Sequence, residues 1–139
     1  MRNHELLKKC CNVRYDLGLD AVDVIDVDEK IVAFSTELDD PDNSFTAGDL
    51  LFTNGASLPN FSLLARFKIS RHLNLGLDAV HFTGDKGAIL KFIDTVRVKG
   101  RRYWLENPRS LMEYLKKYGI DIWFSTEGTA PSPNNPGFL

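Results

Sequence analysis

Leu17-Gly18-Leu19-Asp20-Ala21-Val22 recurs unchanged at Leu75-Gly76-Leu77-Asp78-Ala79-Val80, six identical residues in a row. The offset between the two copies is 75 − 17 = 58 residues. A second identity follows, Phe34-Ser35-Thr36-Glu37 against Phe124-Ser125-Thr126-Glu127, at an offset of 124 − 34 = 90 residues. Repetition at such periods is typical of chains in which each copy is a supersecondary unit that shares its core with its neighbour. We therefore expect two related structural units.

The two copies differ in length. Repeat one spans residues 3–57 and repeat two spans residues 60–128. Because the two offsets differ by 90 − 58 = 32 residues, repeat two must be longer by that number, and most of the insertion is expected at about residues 93–119. One alternative alignment stays open: at a constant offset of 58, Ile31–Phe34 corresponds to Ile89–Phe92 and not to the second FSTE strand.

Length and composition are those of one soluble globular domain. The 139 residues are 43% hydrophobic and 26% charged. No apolar run approaches the roughly 20 residues that span a bilayer, and the first residues lack the apolar stretch of a signal peptide, so no membrane insertion is expected. We expect a single domain over residues 1–130 and a linker-like, proline-containing tail over residues 131–139. The adjacent Cys10 and Cys11 are poorly placed to bridge each other, and no disulfide is expected.

Hydrophobic patterning predicts short strands in hairpin pairs, with a few short helices between them. Strands are expected at residues 19–25, 30–36, 49–53, 77–83 and 120–126, with a further hairpin from residues 88–98 onto 102–105. Asn60 is expected to cap a helix that ends near Ile69, and a second helix is expected over residues 108–118. The predicted class is α+β, mostly antiparallel, with two quasi-equivalent units that share one core.

An acidic loop follows the first FSTE word. Its candidate metal ligands are Glu37, Asp39, Asp40, Asp42 and Asn43. Calcium takes roughly six to eight oxygen ligands from such side chains and from backbone carbonyls, so this loop could supply most of a coordination shell. The spacing is not that of an EF-hand, and the matching stretch of repeat two lacks these acids. A calcium site and a solvated loop therefore both stay open.

A cluster of cations and aromatic residues lies inside the insertion. The candidate nucleic-acid ligands on its predicted hairpin are Arg97, Lys99, Arg101, Arg102, Tyr103 and Trp104. A ribbon of that composition can place cations at phosphates and stack aromatic rings on bases. The other interpretation is charge matching within the chain or between subunits. Residues 16–49 carry eleven acids and one base, whereas residues 86–117 carry nine bases and three acids.

The sequence carries no established catalytic signature. Asp20 and Asp78 occupy the same place in the two copies, and His81 follows close behind. A carboxylate pair or a general base between the repeats is therefore the one catalytic arrangement that these residues suggest. The other expectation for the two aspartates is structural, with each one tightening the turn before its strand. No G-x-S-x-G nucleophile motif and no phosphate-binding glycine loop accompany them.

The order of these short motifs resembles a tandem repeat of uncharacterised proteins. The words N-x-x-L-L, LGLDAV, FSTE and GDLLFTNG are similar to a pattern (GDLL…N-x-x-LL…GLDAV…FST/SE) in bacterial and archaeal proteins that are often secreted or surface-associated. The likeness covers residues 3–80 and 120–128, and it includes neither residues 93–118 nor a second GDLL. It implies a modular, extracellular or surface context and transfers no activity or site residue.

The leading functional expectation is a non-catalytic binding or assembly module, calcium-assisted if the acidic loop holds a cation. Its expected partner is another protein or a second copy of the chain. Two alternatives stay open. One is a small nucleic-acid-binding protein that uses residues 97–104 and the helix over residues 108–118. The other is an enzyme with a site between the repeats.

Overall fold

Two antiparallel sheets and four helices make up the described part of the chain. The computed structural model describes Cys10 and residues 17–42, 44–65 and 76–126. The class is α+β with antiparallel strands, as the sequence predicts. None of the described helices is long and apolar enough to cross a membrane.

The first sheet is a four-stranded meander. Its strands are β1 (Leu19–Asp26), β2 (Ile31–Thr36), β3 (Leu50–Phe52) and β4 (Ser57–Leu58). Each strand pairs antiparallel with the next. Residues 27–30 turn the chain between β1 and β2, so that β2 begins one residue later than predicted, and Lys30 lies in the left-handed region at φ 56°.

The second sheet is a hairpin with the same register as the β1–β2 hairpin. Its strands are β5 (Leu77–Thr83) and β6 (Asp121–Thr126). Val22 faces Phe34 in the first hairpin, and Val80 faces Phe124 in the second, so both partners are displaced by the sequence offsets of 58 and 90. Residues 89–92, which the alternative alignment would place opposite β5, are helical. A duplicated unit would show this common register, and the duplication itself stays a prediction.

Four helices complete the fold. They are α1 (Asn60–Leu64), α2 (Lys86–Lys99), α3 (Arg101–Glu106) and α4 (Ser110–Tyr118). The last three lie in the connection between β5 and β6, and α4 ends at the left-handed Gly119, as predicted. The predicted Asn60 cap is wrong. Asn60 is the first residue of α1, and its Nδ2 donates to the carbonyl oxygen of Gly48 at 2.9 Å.

The hairpin predicted over residues 88–98 and 102–105 is wrong, because both segments are helical. The buried residues of α2 recur at helical spacing: Ile89, Phe92, Ile93 and Val96. Asp85 caps this helix by accepting a hydrogen bond of 3.0 Å from the N–H of Ala88. Gly100, at φ 82°, separates α2 from α3. The β-branched composition of this segment favoured a strand, but its apolar residues at helical spacing and its N-terminal cap stabilise a helix.

One main core joins both hairpins and the inserted helices. Ala33 and Phe52 enter it from the first sheet, Phe82 from β5, and Phe92 and Trp104 from the helices. The ring of Phe82 lies edge-on to Phe52, with centroids 5.9 Å apart, and 6.4 Å from the ring of Phe92. The aromatic contacts therefore run from the meander through β5 to α2.

A smaller cluster covers the other face of the first sheet. Its buried members are Leu17, Val32, Phe34, Phe45 and Leu51, with Cys10 packed against them. Strand β2 is therefore buried on both of its faces. The expectation of no disulfide is wrong, because Cys10 is disulfide-bonded. Cys11 lies outside the described residues.

Candidate functional site

His81 has a different carboxylate neighbour from the one that the sequence suggests. Its Nδ1 lies 3.6 Å from Oδ2 of Asp23 on β1. The same oxygen accepts a hydrogen bond of 2.8 Å from the N–H of Phe82 on β5. Asp20 is half-buried on β1, whereas Asp78 and His81 are exposed on β5. The contact that involves His81 therefore connects the two hairpins through Asp23, which the sequence analysis did not single out.

Asp40 is the buried residue of the acidic loop. Its carboxylate accepts hydrogen bonds from the N–H of Ser44 at 3.1 Å, from the N–H of Asp42 at 3.3 Å and from the hydroxyl of Ser44. Burial acts to raise the pKa of Asp40, but the hydrogen bonds from Ser44 and Asp42 outweigh it and hold the pKa below its ordinary value of 3.8. This carboxylate therefore organises the turn in its charged form.

Replacing Asp40 with asparagine should lower stability more at pH 7 than at pH 3. The native pKa of Asp40 is depressed, so the stabilisation is present above the unfolded-state pKa of about 3.9 and is lost as pH falls through the lower folded value. We expect a loss of about 1–2 kcal/mol at pH 7. Urea unfolding of Asp40→Asn and of the exposed control Asp42→Asn at both pH values measures it. An Asp40→Asn deficit that stays constant between the two pH values would contradict this role.

The other acids of this loop serve separate contacts or face solvent. Asp39 Oδ1 accepts a hydrogen bond of 2.7 Å from the N–H of Ala47. Glu37 and Asp42 are exposed, and Asn43 lies outside the described residues. Within the described ranges, no three His, Cys, Asp or Glu side chains form a group that could hold a metal ion. The calcium site therefore stays a prediction, and the structure shows Asp39 and Asp40 accepting hydrogen bonds within their own loop.

Two of the predicted nucleic-acid ligands are engaged with acids on their own helices. Arg97 Nη2 lies 2.7 Å from Oδ1 of Asp94, three residues earlier on α2. Arg102 Nε lies 2.8 Å from Oε1 of Glu106, four residues later on α3, and this pairing raises the pKa of Arg102. Both pairs have the spacing of neighbours on a helix surface. They are consistent with exposed helix faces and not with a ribbon of free cations.

The aromatic members of the same segment pack inward. Trp104 is 0% exposed, and its Nε1 donates to the carbonyl oxygen of Val96 at 3.3 Å. Tyr103 is half-buried beside it, with the two rings edge-to-face at 5.0 Å. Lys99 Nζ lies 4.9 Å from the centroid of the Tyr103 ring. Trp104 is thus part of the core and is not available to stack on a base.

Asp49, which no sequence motif singled out, is a buried carboxylate that accepts several hydrogen bonds. Its side chain is 1% exposed, and Nε and Nη2 of Arg101 both lie 2.8 Å from Oδ2. Its Oδ1 accepts hydrogen bonds from the hydroxyl of Thr46 at 2.7 Å and from the N–H of Asn60 at 2.9 Å. The ion pair spans the loop before β3, α1 and the inserted α3. Its only sequence signal was the opposite charge of the two regions.

A second ion pair joins the same two regions. Lys86 Nζ lies 3.3 Å from Oδ1 of Asp26, which is buried at the end of β1. Burial acts to raise the pKa of Asp26, but Lys86 and the N–H groups of Glu29 and Asp28 lower it further than burial raises it. With the Asp49 pair, this contact shows charge matching within the chain, one of the two interpretations of the basic segment.

The strands leave two surfaces with exposed large apolar side chains on the side away from the main core. One is the Trp123 face, which consists of two cross-strand pairs on β5 and β6: Ala79 with Ser125, and His81 with Trp123. The other is the valine face on β1, which consists of Val22 and Val24. Trp123 is 65% exposed, Val24 55% and Val22 45%. Their strand neighbours point into the main core, so these side chains point away from it.

Two open clefts of about 230 Å³ each lie elsewhere on the described surface. One is lined by residues that include Cys10, Ser44, Phe45 and Arg101. The other is lined by Tyr103, Glu113, Tyr114 and Lys117. The guanidinium in the first cleft is already paired with Asp49, and the second cleft brings a carboxylate beside its lysine. Both clefts have room for a small polar molecule.

Comparison with known proteins adds no relative. No protein-family model, no curated protein and no solved structure matches this chain. The resemblance of its motifs to a tandem repeat therefore stays a hypothesis, and the function has to be argued from the geometry.

Proposed function

We propose that this chain is a non-catalytic binding or assembly module, and that it contacts a protein partner through the Trp123 face. The observation that carries the proposal is the 65% exposure of Trp123 in the middle of an ordered strand. Exposed tryptophans are costly on a surface that only water contacts, and tryptophan is enriched among the residues that dominate protein–protein binding. The polar neighbours Ser125 and His81 supply the rim that such interfaces have.

The polar side chains of the fold support the non-catalytic part of this proposal. Asp49 and Arg101 satisfy each other in the interior, and Asp40 closes its own turn. Asp23 holds the N–H of Phe82. Each of these groups has a structural partner, which is the expected use of a buried charge.

The proposal also concerns the architecture: the β1–β2 and β5–β6 hairpins are two copies of one structural unit. Their common register and the identity of LGLDAV and FSTE support it. Residues 84–120, which contain α2, α3 and α4, are then an excursion that only the second copy carries. Nucleic-acid binding is supported less by the structure than by the sequence pattern, because Trp104 is buried and Arg97 and Arg102 are paired with acids.

Photo-crosslinking tests the binding surface. With p-benzoylphenylalanine in place of Trp123, we expect irradiation of cells that make the protein to yield covalent adducts with a protein. With the probe in place of Met112, which is 51% exposed on α4, adducts should be far weaker. Both positions are comparably open to solvent, so the contrast measures specific contact. Equal adduct yields at positions 123 and 112, or none at 123, would contradict the proposed function.

A further inference from the structure

We infer that copies of this chain associate head to tail, with the Trp123 face of one copy seated on the valine face of the next. The inference rests on the proposed function and names its partner as a second copy of the same chain. It follows from comparing the contact between the two hairpins inside the chain with the surfaces that each hairpin leaves exposed.

Inside the chain, one face of the first hairpin is covered by the second hairpin. Ala33 and Ser35 on β2 are both 0% exposed. The hydroxyl of Ser35 donates to the carbonyl oxygen of Leu77 on β5 at 3.5 Å. Asp23, on the neighbouring strand, accepts from the N–H of Phe82. The second hairpin therefore uses its Leu77–Phe82 side to cover the Ala33–Ser35 side of the first.

The Trp123 face is the counterpart of that covered side. At the offset of 90 residues, Trp123 corresponds to Ala33 and Ser125 corresponds to Ser35. Ala33 is buried in the main core, whereas Trp123 is exposed. The side that is covered in the first hairpin is therefore exposed in the second.

The valine face is the counterpart of the covering side. At the offset of 58 residues, Val22 corresponds to Val80 and Val24 corresponds to Phe82. Val80 and Phe82 are buried in the main core, whereas both valines of β1 are exposed. On β2 the same side is already covered, because Val32 and Phe34 are buried in the smaller cluster, so only the β1 half of the covering side is exposed. The valine face is that half, and the Trp123 face is the counterpart of the surface that it would cover.

The sizes of the residues fit this pairing. Inside the chain the small Ala33 and the large Phe82 belong to the same buried cluster. Between copies the large Trp123 would meet the smaller Val24. Trp123 is larger than its counterpart Ala33, and Val24 is smaller than its counterpart Phe82, so the two size differences compensate. Tight packing at an interface core depends on such volume matching.

Contact between two different patches makes the association heterologous, so it extends from copy to copy instead of stopping at a symmetric dimer. Sedimentation velocity over a range of protein concentrations measures it. The wild-type chain should associate as concentration rises. Trp123→Ser and Val22→Ser/Val24→Ser should each weaken association about thirtyfold, as expected for loss of a dominant contact. Met112→Ser, the control, should associate like wild type.

Mixing the two defective variants gives the sharpest readout. Trp123→Ser keeps an intact valine face, and Val22→Ser/Val24→Ser keeps an intact Trp123 face. An equimolar mixture should therefore form a 1:1 dimer with wild-type affinity, at concentrations at which each variant alone, weakened about thirtyfold, is still monomeric. Circular dichroism of each variant checks that it remains folded. The substituted side chains are exposed, so little loss of stability is expected.

A monomeric wild-type chain at every concentration would overturn the inference, and so would a mixture that stays monomeric. If the wild-type chain is monomeric while the probe at position 123 still captures a different protein, the inference falls and the proposed function stands. If position 123 captures nothing and the chain is monomeric, both fall. Crosslinks from position 123 to a peptide that contains Val22 and Val24 would support both.

Discussion

Asp49→Ala is expected to lower the free energy of unfolding by about 3 kcal/mol, the cost of removing one partner of a buried ion pair. Arg101 would lose both of its 2.8 Å contacts, and the N–H of Asn60 and the hydroxyl of Thr46 would lose their acceptor. The value lies at the lower end of the range for buried pairs because the Arg101 side chain is 26% exposed and water can partly replace the carboxylate.

Urea unfolding of matched variants isolates this effect. Asp49→Asn keeps an acceptor but removes the charge, and it should fall between wild type and Asp49→Ala. Asp94→Ala removes the carboxylate of an exposed pair with Arg97 on one helix, and it should cost less than about 0.5 kcal/mol. If Asp49→Ala were no more destabilising than Asp94→Ala, the Asp49 pair would not connect the inserted helices to the first sheet.

Trp104→Ala is expected to cost about 3–5 kcal/mol, as for other fully buried large aromatic residues. Trp104 is 0% exposed, and its ring lies edge-on to Tyr103 and Tyr114 at centroid distances of 5.0 and 5.4 Å. Truncation would leave a cavity between α3 and α4 and free the carbonyl oxygen of Val96 from its 3.3 Å hydrogen bond. A loss of this size is a large fraction of the roughly 5–15 kcal/mol that stabilises a typical domain, so the melting temperature should fall clearly.

Trp104→Phe keeps the protein folded and so keeps this prediction measurable. It retains an aromatic ring and loses the indole N–H, and it should cost less than Trp104→Ala in thermal unfolding. Arg102→Ala, on the exposed face of the same helix, is the control and should change stability by less than about 0.5 kcal/mol. Near-equal melting temperatures for Trp104→Ala and Arg102→Ala would mean that Trp104 is a surface residue, as the nucleic-acid hypothesis requires.

The strands and turns of this fold are predictable from sequence because their signals are local. Alternating residues mark β1 and β5, and Asn54-Gly55 forms the predicted turn between β3 and β4. The prediction failed at α2, where the β-branched residues outweighed the helical spacing of Ile89, Phe92, Ile93 and Val96. Asp85 carried the missing information, since an aspartate directly before that spacing is a helix start signal.

The candidate site was much less predictable, because its features depend on distant parts of the chain. Asp49 and Arg101 are 52 residues apart, and only their opposite charge suggested a meeting. Trp104 follows two arginines and a tyrosine, whereas Trp123 lies between Ile122 and Phe124, so the sequence alone would place Trp123 and not Trp104 in the core. In the structure α3 directs Trp104 into the core, whereas β6 directs Trp123 to the surface. Which tryptophan could contact a partner is thus a property of the fold alone.

The long β5–β6 connection gives the two hairpins different folding histories. The first hairpin closes over residues 27–30, and the second closes over residues 84–120. Lengthening a loop from 4 to 37 residues raises the entropic cost of closure by about 2 kcal/mol, so the second pairing waits until the helices have formed. We therefore expect the first hairpin to form early and β6 to pair late. In a chain emerging from the ribosome, we expect β5 to stay unpaired until the 37 residues of the connection and β6 have been synthesised.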